Sequence, residues 1–179
     1  MKTTIINIYG ASGIGKSITA CKLYAEMSIS RNYGNIELVR EFAKDLVWAG
    51  DLKTLAHQPS VTNGQVQRQN ILLGKVDYIV TDSPLCLGLL YSKEEHLDEV
   101  TNVIATEREK YNEVNILLKR SSDIPFNPVG RVHTLEESIA IDCEIKSLLD
   151  TQNIPYIELS NKLDVISIIQ HIEEVLRNK

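Results

Sequence analysis

The chain has 179 residues, 43% hydrophobic and 24% charged, which suits one soluble globular domain spanning 1–179 with one core. Its net charge of −5 argues against a dedicated nucleic-acid binder, whose balance is usually basic, although residues 1–75 carry 9 Lys+Arg against 5 Asp+Glu. No apolar run reaches the roughly 18 residues of a membrane-spanning helix, and "MKTTIINIYG" lacks the apolar core and cleavage site of a secretory leader, so a cytoplasmic chain without a membrane partner is expected.

In chain order, "TTIINIY" (3–9) is a β-branched apolar run that reads as a buried strand ending at Gly10. "KSITACKLYAEMSIS" (16–30) has apolar residues at helical spacing, among them Ile18, Cys21, Leu23, Tyr24 and Met27, and stops before "RNYGN". "IELV" (36–39) is a second strand, "EFAKDLVWAG" (41–50) a short helix closed by Gly50, and "SVTNGQVQRQNILLGKV" (60–76) a longer helix. "DYIVTDSP" (77–84) reads as a third strand stopped by Ser83-Pro84, "EEHLDEVTNVIATEREKY" (94–111) as an amphipathic helix, and "VNILLK" (114–119) as a fourth strand. "TLEESIAIDCEIKSLLDTQN" (134–153) opens with a capping box, Thr134 and Glu137. "IPYIEL" (154–159) is a fifth strand and "DVISIIQHIEEVLRNK" (164–179) a closing helix. Alternating strands and helices imply a parallel sheet covered on both faces, a three-layer α/β/α fold with ligands at the C-terminal strand ends. Cys21, Cys86 and Cys143 are lone and odd in number, so no disulfide framework or zinc knuckle is suggested, and each is expected to be a small buried hydrophobe.

"GASGIGKS" (10–17) matches GxxxxGK[ST] between a predicted strand and a predicted helix, the context that gives the motif its chemistry. Gly10, Ala11, Ser12, Gly13, Ile14, Gly15, Lys16, Ser17 and Ile18 are the candidate nucleotide-binding residues. The glycines let backbone N–H groups curl around a phosphate at a helix N-terminus. Lys16 would neutralise the β and γ phosphates, and Ser17 would offer its hydroxyl to Mg²⁺. Asp82, at the end of "YIVTD", is the candidate for the metal or its water. The competing reading of Asp82 is a residue that merely starts the Ser83-Pro84 turn.

Phosphoryl transfer to an organic acceptor needs a carboxylate near the acceptor hydroxyl and extra cations on the moving group. Glu41 follows the second strand and fits the first need, against the plainer reading of an acidic first helical turn. Arg40 beside it could pair with an anionic acceptor or with Glu41. Gln65 and Gln69 share a helical face and could read a base or ribose, although a solvated polar face is the commoner outcome. "KRSSDIPFNPVGRVHT" (119–134) is long and irregular, which in a compact domain is usually functional. It reads as a lid with Arg120 and Arg131 at its hinges, closing over phosphates and excluding water. His133, beside the helix cap, is given no catalytic role.

Two other P-loop classes are disfavoured. "NKLD" (161–164) has the spelling of a guanine-recognition motif, but it follows the fifth strand and no DxxG follows the third. An AAA-type motor or switch would want a water-activating glutamate after Asp82, where Ser83 stands, and a helical lid domain for which the chain has no room.

Together "GASGIGKS", "VREFAKDL", "QVQRQ", "IVTDSPL", "KYNEVNILL" and "PVGRVHT" resemble the P-loop nucleoside and nucleotide kinases, being similar to the nicotinamide riboside kinase module of bacterial NAD-regulator proteins. The chain also resembles small phage-type P-loop kinases. The first resemblance implies a sheet of order 2-3-1-4-5, ATP and Mg²⁺ as donor and cofactor, and transfer of the γ-phosphoryl group to a hydroxyl of a nucleoside-like acceptor. Val129-Gly130 stands where that family tends to have Asp-Gly. Lys16, Glu41, Asp82 and Arg131 are then the candidate catalytic residues, Ser17 and Asp82 the metal ligands, and Arg120 a further nucleotide contact. Two alternatives stay open: a kinase acting on a hydroxyl in or at the end of DNA, such as a hydroxymethylated base, and a nucleotide-binding switch NTPase without an organic acceptor.

Overall fold

Five apolar runs become the strands of one parallel sheet in the computed structural model, which describes residues 2–120, 125–160 and 165–177. They are β1 (Thr4–Tyr9), β2 (Ile36–Val39), β3 (Tyr78–Thr81), β4 (Asn112–Lys119) and β5 (Ile157–Ser160), ordered β2-β3-β1-β4-β5. That is the order the family resemblance implied. The strands are apolar on both sides because both faces are covered. Ile5, Tyr9, Ile79 and Leu117 point into one core layer, and Ile6, Ile8, Val80, Val114, Ile116 and Leu118 into the other.

Helices α1 (Lys16–Ser30) and α8 (Val165–Arg177) close the second layer through Ala20, Leu23, Met27, Val165, Ile168 and Ile172. On the opposite face lie α4 (Gln58–Asn70), α5 (Leu87–Tyr91), α6 (Glu94–Arg108) and α7 (Leu135–Thr151), which contribute Val66, Leu87, Val100, Ile104, Ile145 and Leu149. Each fully buried aliphatic side chain contributes about 1.5–3 kcal/mol by leaving water, so the two layers carry most of the fold's stability. Two polar residues in the sheet are satisfied rather than stranded: Asn7 donates to Asn115 Oδ1 at 2.9 Å, and Asn115 donates to the Pro155 carbonyl at 3.1 Å. Asn7 and Asn115 are direct register partners on β1 and β4, so the pair locks the two strands' alignment.

Several local expectations need correction. Helix α2 (Phe42–Ala49) forms as read, but α3 (Leu52–Leu55) and α5 were not foreseen. α4 starts at Gln58, because His57 caps it and Pro59 suits its first turn, and it ends at Asn70 instead of running to 76. β4 begins two residues earlier than read, and β5 three residues later. The capping box of α7 is present: Thr134 Oγ1 accepts the Glu137 N–H at 3.2 Å, and Glu137 Oε2 accepts the Thr134 N–H at 2.7 Å. Cys86 is buried, but Cys21 and Cys143 are exposed. Both lie off the buried stripes of their helices, which run Thr19, Ala20, Leu23, Met27 in α1 and Ser138, Ile141, Ile145, Leu149 in α7. The "NKLD" segment and residues 121–124 of the lid loop lie outside the described residues. Among the described residues, no helix is long and apolar enough to cross a membrane.

Candidate active site at the C-terminal strand ends

β1 runs into "GASGIGKS", and α1 begins at Lys16 behind Gly15, whose φ of 102° is one that L side chains rarely adopt. Gly13, at φ 79°, is required for a second reason: a Cβ there would lie 2.4 Å from Cδ2 of Phe126, whose ring covers the loop. The helix N-terminus carries no side-chain cap, leaving its first N–H groups and its dipole for an anion. Lys16 Nζ folds back to the Ala11 carbonyl at 3.0 Å. Burial pushes its ammonium below the usual lysine value, opposed by the carboxylates of Glu41, Asp82 and Asp142.

Asp82, 3% exposed at the end of β3, accepts the Glu41 N–H at 3.1 Å. The next N–H, of Phe42, donates to Gln65 Oε1 at 2.8 Å. The β2–α2 junction is therefore gripped from β3 and from α4, and this fixes where the Glu41 side chain starts. Burial raises the Glu41 carboxyl above the ordinary glutamate value; Lys16 opposes the rise and Asp82 adds to it. Lys16, Glu41, Asp82 and Arg131 all line one cavity of about 650 Å³, together with Ser12, Gly13, Gly15, Ser17 and Ile18 of the phosphate loop. Val47, Leu55, Val61, Thr62, Gln65 and Tyr91 also line it.

Residues 125–133 roof this cavity. Arg131 Nη1 donates to Ser12 Oγ at 3.0 Å, its guanidinium lies over the Phe126 ring at 5.7 Å, and its charge is felt by both Lys16 and Glu41. Gly130 rests on Trp48 of α2, where a Cβ would come within 2.6 Å of Cζ2. Arg120 has a different setting: it pairs with Asp142 and donates through Nη2 to the Ser12 carbonyl at 3.2 Å. It therefore touches the phosphate loop from outside, and it is not among the cavity's lining residues. Gly10, Ala11 and Ile14 are likewise behind the lining, with Ala11 and Ile14 buried.

Gln65 and Gln69 are 4% and 2% exposed, not solvated. α4 is packed among α2, α3, α5 and α6, a tertiary fact that helix periodicity in a polar segment cannot reveal. Arg40 is exposed, and its carbonyl accepts Arg68 at 3.3 Å; the cations whose charges bear on Glu41 are Lys16, Lys44 and Arg131. His133 stacks on Tyr91 with ring centroids 6.1 Å apart. Asp142, Phe126, Trp48 and Tyr91 were missed from sequence. Only Asp142 left a signal, as a carboxylate one position from Ile141 in the mainly apolar buried stripe of α7.

Among the described residues, no cluster of three or more His, Cys, Asp or Glu side chains could hold a metal by itself. The Ser17 hydroxyl and the buried Asp82 carboxylate instead form a sparse, hard-oxygen set of the kind Mg²⁺ uses when phosphates and waters complete its shell. The residues present thus fit a Mg²⁺–nucleotide.

A parallel 2-3-1-4-5 sheet with a glycine-rich loop between its central strand and the first helix is the fold of the P-loop nucleoside and nucleotide kinases. A family model described as an AAA domain matches residues 5–165, and the chain belongs to that family. Membership does not by itself assign a motor, and Ser83 still follows Asp82. Among solved structures the chain is similar to thymidylate kinase from Ehrlichia chaffeensis, with a TM-score of 0.64 over 97% of this chain and 99% of that one, at 12% identity. That likeness speaks for the fold. No curated protein matches the chain in sequence.

Proposed function

We propose that the protein is an ATP-dependent kinase that transfers the γ-phosphoryl group to a hydroxyl of a nucleoside, nucleotide or nucleoside-like acceptor. The observation that carries this reading is that Glu41 and the phosphate loop line one roofed cavity of about 650 Å³, which side chains of α2, α3 and α4 also line. In this reading Lys16 and the loop N–H groups hold the donor phosphates, and Glu41 orients or deprotonates the acceptor hydroxyl. Burial raises its carboxyl above the ordinary glutamate value, which makes its carboxylate a stronger proton acceptor than an exposed one. Arg131 offsets charge on the moving phosphoryl group, and the roof of residues 125–133 keeps water from competing with the acceptor. Ser17 and Asp82 would hold Mg²⁺, which when bound neutralises charge on the phosphate oxygens. The likeness to a thymidylate kinase fold supports a nucleotide-sized acceptor.

The test is labelled Mg²⁺–ATP with a panel of nucleosides, nucleoside monophosphates and hydroxymethylated DNA. A labelled small-molecule product is expected. Label in DNA alone would favour the polynucleotide acceptor, and slow hydrolysis with no acceptor product would favour the switch.

A further inference from the structure

Asp142 belongs to none of the motifs, yet both its oxygens are occupied at the back of the phosphate loop. Oδ1 accepts the Ala11 N–H at 2.7 Å. Oδ2 accepts Arg120 Nε at 2.9 Å and pairs with Nη2 at 2.8 Å. Arg120 Nη2 also reaches the Ser12 carbonyl at 3.2 Å, and Lys16 takes the Ala11 carbonyl at 3.0 Å. The first turn of the loop is thus tied through Ala11 N–H, Ala11 C=O and Ser12 C=O, by three side chains from α7, the end of β4 and α1. All three ties are charge-assisted and so roughly twice as strong as neutral hydrogen bonds, and the Asp142–Ala11 bond, at 2.7 Å, is the shortest of them.

Charge balance matters as much as geometry. A lone carboxylate this near a polyphosphate would repel it, and Arg120 cancels that charge at contact distance while adding its own bond to the loop. We propose that Asp142 is a positioning residue of the donor site: with Arg120 as its counter-ion, it sets the Gly10–Ser12 turn so that the remaining loop N–H groups face a nucleoside polyphosphate. This rests on the reading that a nucleotide occupies the phosphate loop, but not on the identity of the acceptor.

The experiment is calorimetric titration of the full chain with Mg²⁺–ADP. Asp142→Ala removes both ties and is expected to weaken binding about tenfold, the scale of one charge-assisted hydrogen bond. Asp142→Asn keeps an oxygen for Ala11 but not the ion pair, and should lose about threefold. Ile145→Val, one turn further along the same buried stripe, controls for loosening of α7: it should lower the melting temperature without moving ADP affinity. Equal or tighter ADP binding by Asp142→Ala would show that the carboxylate only opposes the anion, and would overturn the proposal. So would a loss that Ile145→Val reproduces. An acceptor screen without product removes the kinase reading and leaves these affinities as they are, whereas a wild-type chain that binds no ADP removes both.

Discussion

Arg120 and Arg131 reach the same residue, Ser12, and do so for different ends. Arg131 comes from the roof, donates to the Ser12 hydroxyl and the Asn127 carbonyl and lies over the Phe126 ring, and among the described residues it forms no ion pair. Arg120 sits at the end of β4, is neutralised by Asp142 and donates to the Ser12 carbonyl. A guanidinium that faces a cavity can follow a substrate's charge as the reaction proceeds. One locked into an ion pair on the far side of a loop can only hold that loop in place. Sequence position made the two look like matching hinges; the surrounding carboxylates separate them.

That contrast can be broken most directly at Lys16. Lys16→Ala is expected to remove phosphoryl transfer below detection in a labelled-ATP assay, because it takes away the cation on the donor phosphates themselves. If measurable transfer survives, the donor cannot lie where both arginines flank it.

Next comes the pair itself. Arg131→Ala should lower kcat by about 10²–10³-fold with a much smaller change in ADP affinity, since stabilisation of developing charge appears in the transition state. Arg120→Ala should show the reverse split, with the larger change in nucleotide affinity. Steady-state kinetics beside calorimetry reads both, and the same split in the two variants would erase the distinction.

Glu41 sharpens the comparison from the acceptor side. Glu41→Gln should lower kcat by about 10²-fold or more while ADP affinity stays near the wild-type value. Because burial raises the Glu41 carboxyl in the folded chain, the native state binds its proton more tightly than the unfolded state does. Stability from this group is therefore greatest at low pH and declines as pH rises from the ordinary glutamate value through the raised one. At neutral pH Glu41→Gln should accordingly melt slightly higher than the wild type, and the gap should close on acidification. A variant that melts lower at neutral pH would mean Lys16 and Arg131 more than offset the cost of burial.

The strands, the phosphate loop and the α7 capping box were legible because each is written in consecutive residues: β-branched apolar runs, glycines at fixed offsets, Thr134 three before Glu137. Helices α3 and α5 were not, since four or five residues do not complete enough turns to display a period. The burial of Gln65 and Gln69 was illegible because it depends on the elements packed around α4, among them α2 and α6, which are separate in sequence. Asp142 meets Ala11 across 131 positions of sequence, and nothing local announces such a meeting except a charge on an apolar face. The candidate donor residues were thus readable from the motif, while their supporting contacts are products of the topology.

The contact between Gly130 and Trp48 gives the molecule its own optical gauge. Trp48 is the chain's one tryptophan, and it stands half outside the protein, 64% exposed, with the roof segment resting against its ring. Any movement of that segment away from α2 changes the water around a single indole, so intrinsic emission follows the roof with no other fluorophore of its kind to dilute the signal. If residues 125–133 act as the proposed lid, the protein needs no attached dye for that motion to be timed.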